Sequence, residues 1–275
     1  MNTNEKIITL AQMYCRENYS FWIGKYQKEL TGDDYPRKYT DRDYDTFPRY
    51  QTLNAIGKGV ALLVGRKFKT FDICVKFILD AADFKDVYAK NLINPIGNLA
   101  IEDEKRKYRE YILSISENDL ENAEVKKITY ERRLGKHESE KIRKSLSEKW
   151  GYCKYWHPLI DGEIPANVLF VMTKYVSTYE GSIIDIIKKI SLEKYYEISE
   201  FGDDYKYSKE NFNLPLYGWF GEIICCDDTF EWVVYESHEG TISFGGDKLV
   251  REIKELLKKY EVKFNLIDWM SEHEV

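Results

Sequence analysis

The stretch EWVVYESHEGTISFGGDKL, residues 231–249, decides how the second half of this 275-residue chain is read. With Phe230 in front, its opening run is short, aromatic and β-branched, the composition of a strand half-sunk in a core. TISF, 241–244, is a second strand of the same kind. Glu239-Gly240 between them supplies the X-Gly pair of a tight hairpin whose second central residue takes a positive φ. Gly245-Gly246 then turns the chain into a helix, with Asp247 as its expected cap. Leu249, Val250, Ile253, Leu256, Leu257 and Tyr260 form the apolar face of that helix, and Lys258 and Lys259 complement its C-terminal dipole.

Working outward, KYYEISE (194–200) and WFGEIICCDD (219–228) carry the same signature, so the second half reads as a small antiparallel sheet with helices packed on one face. The first half has a different period. Ile7, Leu10, Ala11, Tyr14, Cys15, Trp22 and Tyr26 recur at three and four along a helix over 5–30, with Asn4 as its expected cap. Residues 31–50, rich in Asp and Tyr, read as a loop with a helix restarting at Pro48. Thr70 opens a third helix, apolar around most of its circumference, and Ile101, Tyr108, Tyr111, Ile112 and Ile115 mark a fourth. The fold class is therefore α+β: a helical domain over 1–125, a linker strand and helix over 126–150 stopped at Gly151, and an acidic α+β domain over 151–275.

Charge separates the halves. Residues 1–150 hold 28 Lys+Arg against 24 Asp+Glu, a balance of +4, and residues 151–275 hold 13 against 23, a balance of -10. An acidic half repels phosphate backbones, so nucleic-acid binding through it is disfavoured and a basic protein partner is favoured. The N-terminus lacks the pattern of a secretory signal, and no apolar run approaches the ~20 residues that span a bilayer. Five cysteines without ordered spacing read as reduced thiols, so the expectation is a cytoplasmic protein with no membrane association. Richness in Lys, Ile, Asn and Tyr hints at a bacterial or phage genome of high AT content.

Most chemistries find no foothold. Neither CxxC nor HExxH occurs, and His137, His157, His238 and His273 are scattered, so no metal or cofactor is expected. GKGVALLVGRK (57–67) combines Gly with Lys but has neither phosphate-loop spacing, and suits a closely packed helix. No nucleophile elbow is present. Two functional expectations follow. The leading one is an interaction module, of the kind an immunity or defence-related factor would be, that steers a basic partner with Asp227, Asp228, Glu231, Glu236 and Glu239. The alternative is an enzyme for a small polar substrate in a cleft between the halves, using His238 with Glu236 or Glu222 as acid and base. On strict strand alternation, His238 and Glu239 point to opposite faces.

Overall fold

The computed structural model describes residues 1–29, 39–84, 94–160, 162–216 and 221–266. The chain divides into two units, Met1–Ile128 and Thr129–Val275.

The first unit is helical: α1 (Thr3–Glu29), α2 (Asp41–Ala61), α3 (Phe71–Asp80), α4 (Pro95–Leu113) and α5 (Glu117–Asn122). Its core joins Ile7, Ile8, Ala11 and Cys15 of α1 to Ile56 and Val60 of α2, Cys74 and Ile78 of α3, and Tyr108 and Ile112 of α4. Two of its caps differ from the sequence expectation. Asn2, not Asn4, caps α1: its side chain accepts from the Glu5 amide at 2.9 Å while Glu5 reaches back to the Asn2 amide at 3.0 Å. Thr40 and Asp43 form the same reciprocal box on α2, so that helix begins seven residues before Pro48 and contains it. Residues 31–38 of the expected loop lie outside the described residues. Thr70 caps α3 as expected, and a 3-10 turn follows over Ala81–Asp83. Residues 57–61 end α2, where the missing side chain of Gly59 lets the Ala81 methyl approach closely.

Across α2 and α4, Arg49 binds Asp45, Asp103 and the buried Glu104 at 2.6–2.8 Å, with its guanidinium over Trp22. These charge-assisted bonds occupy the guanidinium inside the helix pair.

The second unit is built on a seven-stranded antiparallel sheet in the order β1-β4-β3-β5-β6-β7-β2. Its elements are β1 (Glu131–Arg133), α6 (Lys136–Trp150), β2 (Val168–Met172), α7 (Thr173–Val176), α8 (Glu180–Ile190), β3 (Lys194–Ser199), β4 (Tyr205–Ser208), β5 (Ile223–Asp227), β6 (Val233–Ser237), β7 (Thr241–Gly245) and α9 (Asp247–Lys259). Ile183 and Ile187 of α8 and Leu249, Val250, Ile253 and Leu257 of α9 pack on Leu169, Val171, Cys225, Val234, Ile242 and Phe244, which share one face of the sheet. The helix that the sequence placed in the linker covers the other face. Ile142 and Leu146 of α6, joined by Tyr152 and Trp156, pack on Val168, Tyr196, Ile198, Ile224, Cys226, Val233 and Tyr235. Gly151 ends α6 in the left-handed conformation at φ 66°, as its sequence position predicts. At Gly245 a Cβ would stand 2.7 Å from the Trp156 ring, so glycine is what lets that indole lie on the sheet.

Asp247 is the first helical residue of α9, and Gly246 holds the cap position at φ 113°. The carboxylate then acts on the first-turn dipole rather than as the cap. At the outer edge of β2, the Asn265 side chain accepts from the Phe170 amide at 3.0 Å and the Asn265 amide donates to the Phe170 carbonyl at 2.8 Å.

Candidate functional site

Strand β5 carries a buried carboxylate at each end, Glu222 just before it and Asp227 as its last residue, 2% and 1% exposed. Their surroundings differ. Asp227 accepts from the Leu192 amide at 2.9 Å, the Thr229 amide at 2.9 Å, the Thr229 hydroxyl at 2.5 Å and the Trp232 indole N–H at 2.9 Å. Both of its oxygens are engaged in fixing the β5–β6 turn and seating Trp232 in the core.

Glu222 faces the ring of His238, with Nδ1 at 2.6 Å from Oε1. Nδ1 thus faces the enclosed carboxylate, and Nε2 is the ring nitrogen on the side of Glu239. The loop that holds the ring is fixed by backbone bonds. The β6–β7 connection has three residues, 238–240, with Gly240 at φ 73°; the sequence read it as a two-residue turn. The Gly240 amide donates to the Ser237 carbonyl at 3.0 Å, the Glu239 amide to the Ser237 hydroxyl at 3.0 Å, and the Thr173 amide to the Gly240 carbonyl at 2.8 Å. Because the chain leaves strand geometry at His238, alternation no longer applies. Glu239 therefore turns back, and its Oε1 lies 3.2 Å from His238 Nε2, in correction of the parity argument. The His238 and Glu239 side chains are each about half exposed, while Glu222 is enclosed.

Behind the ring the sheet is polar. Register places Ile223 opposite Glu236 and Ser237 opposite Thr241, so Glu222, Ser237 and Thr241 form one lateral row, with Tyr235 diagonal to Glu222 on the same face. The Ser237 hydroxyl donates to Glu222 Oε1 at 3.3 Å. Tyr152, on the segment after α6, lies with its ring 6.4 Å from that of Tyr235. Among the described residues, the hydroxyls of Thr241 and Tyr152 are buried with no hydrogen-bond partner. The Tyr235 hydroxyl lies against the Glu222 carboxylate and the Trp156 backbone. Burial, with Glu222 adding to it, raises the Tyr235 phenol far above its ordinary range; burial does the same for Tyr152, so both stay protonated.

The other residues singled out in the sequence lie apart. Glu236 is buried on the opposite face of the sheet from Glu222, because it is paired with Ile223 and Ile242 in the alternate row. Asp228 is paired with Lys206 at 2.8 Å, and Glu231 with Lys149 at 2.5 Å. Asp227, Asp228 and Glu231 sit at the β5–β6 turn, whereas Glu236 and Glu239 sit at the far end of β6, so the five acids do not form a single face. His157 is buried against Trp156 and its pKa is lowered by burial, while Cys153 is exposed. No group of three or more His, Cys, Asp or Glu among the described residues is placed to hold a metal ion. His273 and residues 217–220 lie outside the described residues, and no described helix is long and apolar enough to cross a membrane.

The sequence named His238 and Glu222 but missed Tyr235 and Thr241, whose juxtaposition depends on cross-strand register, and Tyr152, which the segment after α6 brings to the sheet. No protein-family model, curated protein or solved structure matches the chain.

Proposed function

We propose that the second unit is an acid–base catalyst for a small polar substrate, with His238 moving the proton and Glu222 holding the ring. The observation that carries this reading is the 2.6 Å contact between His238 Nδ1 and the enclosed Glu222 carboxylate, beside a half-exposed imidazole. Glu222 fixes the tautomer and stabilises the imidazolium formed when Nε2 accepts a proton. Glu239, on the exposed rim with Oε1 3.2 Å from Nε2, adds a second negative charge that favours the imidazolium once Nε2 has taken the proton. The test is conversion of a panel of small polar metabolites, followed by proton NMR from pH 5 to 9. Wild type converts a member of the panel, and His238→Gln and Glu222→Gln lower that rate by about 10²–10⁴-fold with the fold intact. A His238→Gln protein as active as wild type removes the reading.

A second reading, docking of a basic protein, is supported at the other end of the sheet. There Leu192, 47% exposed, is followed by Glu193, and Glu231 sits at the β5–β6 turn; the carboxylates of these two lysine pairs are largely exposed, and a basic partner can exchange them. Reversing Glu193 and Glu231 slows capture of such a partner and flattens its salt dependence; capture that is unaffected removes this reading.

A further inference from the structure

Residues 151–275 carry a balance of -10, yet a cavity in their fold is lined by more cations than anions. It lies between α7 and the segment that follows α9, with a volume of about 490 Å³, within the range of small-molecule sites. Lys174, Tyr175 and Tyr179 line one wall, and Glu261, Lys263 and Leu266 the other. Among the described residues Lys263 has no carboxylate at ion-pair distance. Tyr175 and Leu266 are 42% and 53% exposed, so the mouth opens to solvent. We propose that this cavity binds a planar aromatic ring bearing a carboxylate or a phosphate. Its lining shares no residue with the His238–Glu222 pair, and its ligand is independent of the reaction proposed there.

Both walls are anchored by the fold. Val176 of α7 is fully buried, and the Thr173 amide and hydroxyl donate to the Gly240 carbonyl at 2.8 and 3.0 Å, so Lys174 and Tyr175 sit on a fixed turn. Opposite them, the Val262 amide donates to the Leu257 carbonyl at 2.9 Å, and Asn265 is bonded to both polar backbone groups of Phe170. Lys263 lies between these two fixed points. The lining then selects the ligand. Tyr179 stacks on Tyr260 with ring centroids 4.3 Å apart, and a ligand ring extends the aromatic surface that Tyr179 and Tyr175 contribute. Lys174 Nζ lies 5.0 Å from the Tyr175 ring centroid, so charge and ring are offered side by side. A ligand that excludes water from the lysines must answer their charge, because a charge cut off from water without a partner is costly. An apolar ligand leaves that charge unanswered, and a cationic one adds to it.

The test is calorimetric titration of the full chain with benzoate and with AMP, each a ring joined to an anion. Acetate and inorganic phosphate keep the charge without the ring, and benzylammonium reverses the charge. The expected result is saturable binding of benzoate, AMP or both, with acetate and phosphate about tenfold weaker and benzylammonium not bound. Benzoate alone assigns a carboxylate ligand, and AMP alone a phosphate ester. Lys263→Glu lowers the affinity about 10–100-fold, the loss of one charge-assisted hydrogen bond, and Tyr175→Ala about 2–10-fold, the loss of one ring contact. Both residues are exposed, so the variants keep the fold, which circular dichroism checks. Lys248→Glu makes the same charge change at an exposed residue of α9 outside the cavity and leaves binding unchanged. Absence of saturable binding by benzoate and AMP overturns the proposal. So does equal loss in Lys263→Glu and Lys248→Glu, which reduces the effect to net charge, and so does binding of the ring-free anions as tight as that of their aromatic counterparts.

Discussion

Glu222 and Asp227 are carboxylates of the same strand, equally buried, at opposite ends. Asp227 is surrounded by four donors belonging to its own fold, two amides, a hydroxyl and an indole, and nothing remains for a ligand. Glu222 is held by a half-exposed histidine, a serine and the Tyr235 hydroxyl, side chains only, one of them open to solvent. The two are alike in burial and differ in what surrounds them: backbone amides and an indole around one, a solvent-facing imidazole beside the other.

The strongest way to break this contrast is Asp227→Ala, which strands all four donors and should cost about 3–4 kcal/mol in urea unfolding. A loss under about 1 kcal/mol would mean that the closed network is ornamental. Next comes Glu197, on β3 and in register with Cys225 of β5, whose pKa burial and then the neighbouring Glu131 push up to about 7. Its folded-state pKa lies above the unfolded value, so its contribution is complete below the ordinary glutamate pKa and is lost as pH rises through about 7. Glu197→Gln should flatten that slope and make the protein more stable than wild type at pH 8, by about 2–3 kcal/mol. An unchanged pH–stability curve would show that Glu197 ionises normally. Glu222→Gln sharpens the comparison from the other side: it keeps an acceptor for His238 and should cost no more than about 1 kcal/mol in the same unfolding assay. A cost equal to that of Asp227→Ala would make Glu222 a structural acid too. The smallest effect belongs to Glu231→Ala, which removes the exposed Lys149 pair and should shift stability by less than about 0.5–1 kcal/mol.

Much of the second unit was legible in its sequence, because β6, β7 and α9 each announce themselves through alternation, a glycine turn and an amphipathic face. β2 was not. VLFVM is apolar at all five positions and buried on both faces, so it lacks the period that would separate a strand from a short buried helix. β1 and β4, three and four residues long, are too short to carry a period. At the site, the neighbouring-strand argument named Glu222 for His238, but parity turned Glu239 away from the ring, since alternation holds only while the chain stays extended. Tyr152 was invisible as a site residue because only the folding of the segment after α6 onto the sheet brings it to Tyr235.

The Asn265 contact has a consequence for how the protein keeps to itself. β2 is an outermost strand of the sheet, and its sequence has the β-propensity, low charge and absence of proline that let strands from different chains zip together. By taking both the amide and the carbonyl of Phe170, Asn265 occupies the middle of the hydrogen-bonding edge that a second molecule would need. One asparagine after the last helix thus acts as a guard against fibril growth, and its loss would be felt in shelf life and solubility before it was felt in folding.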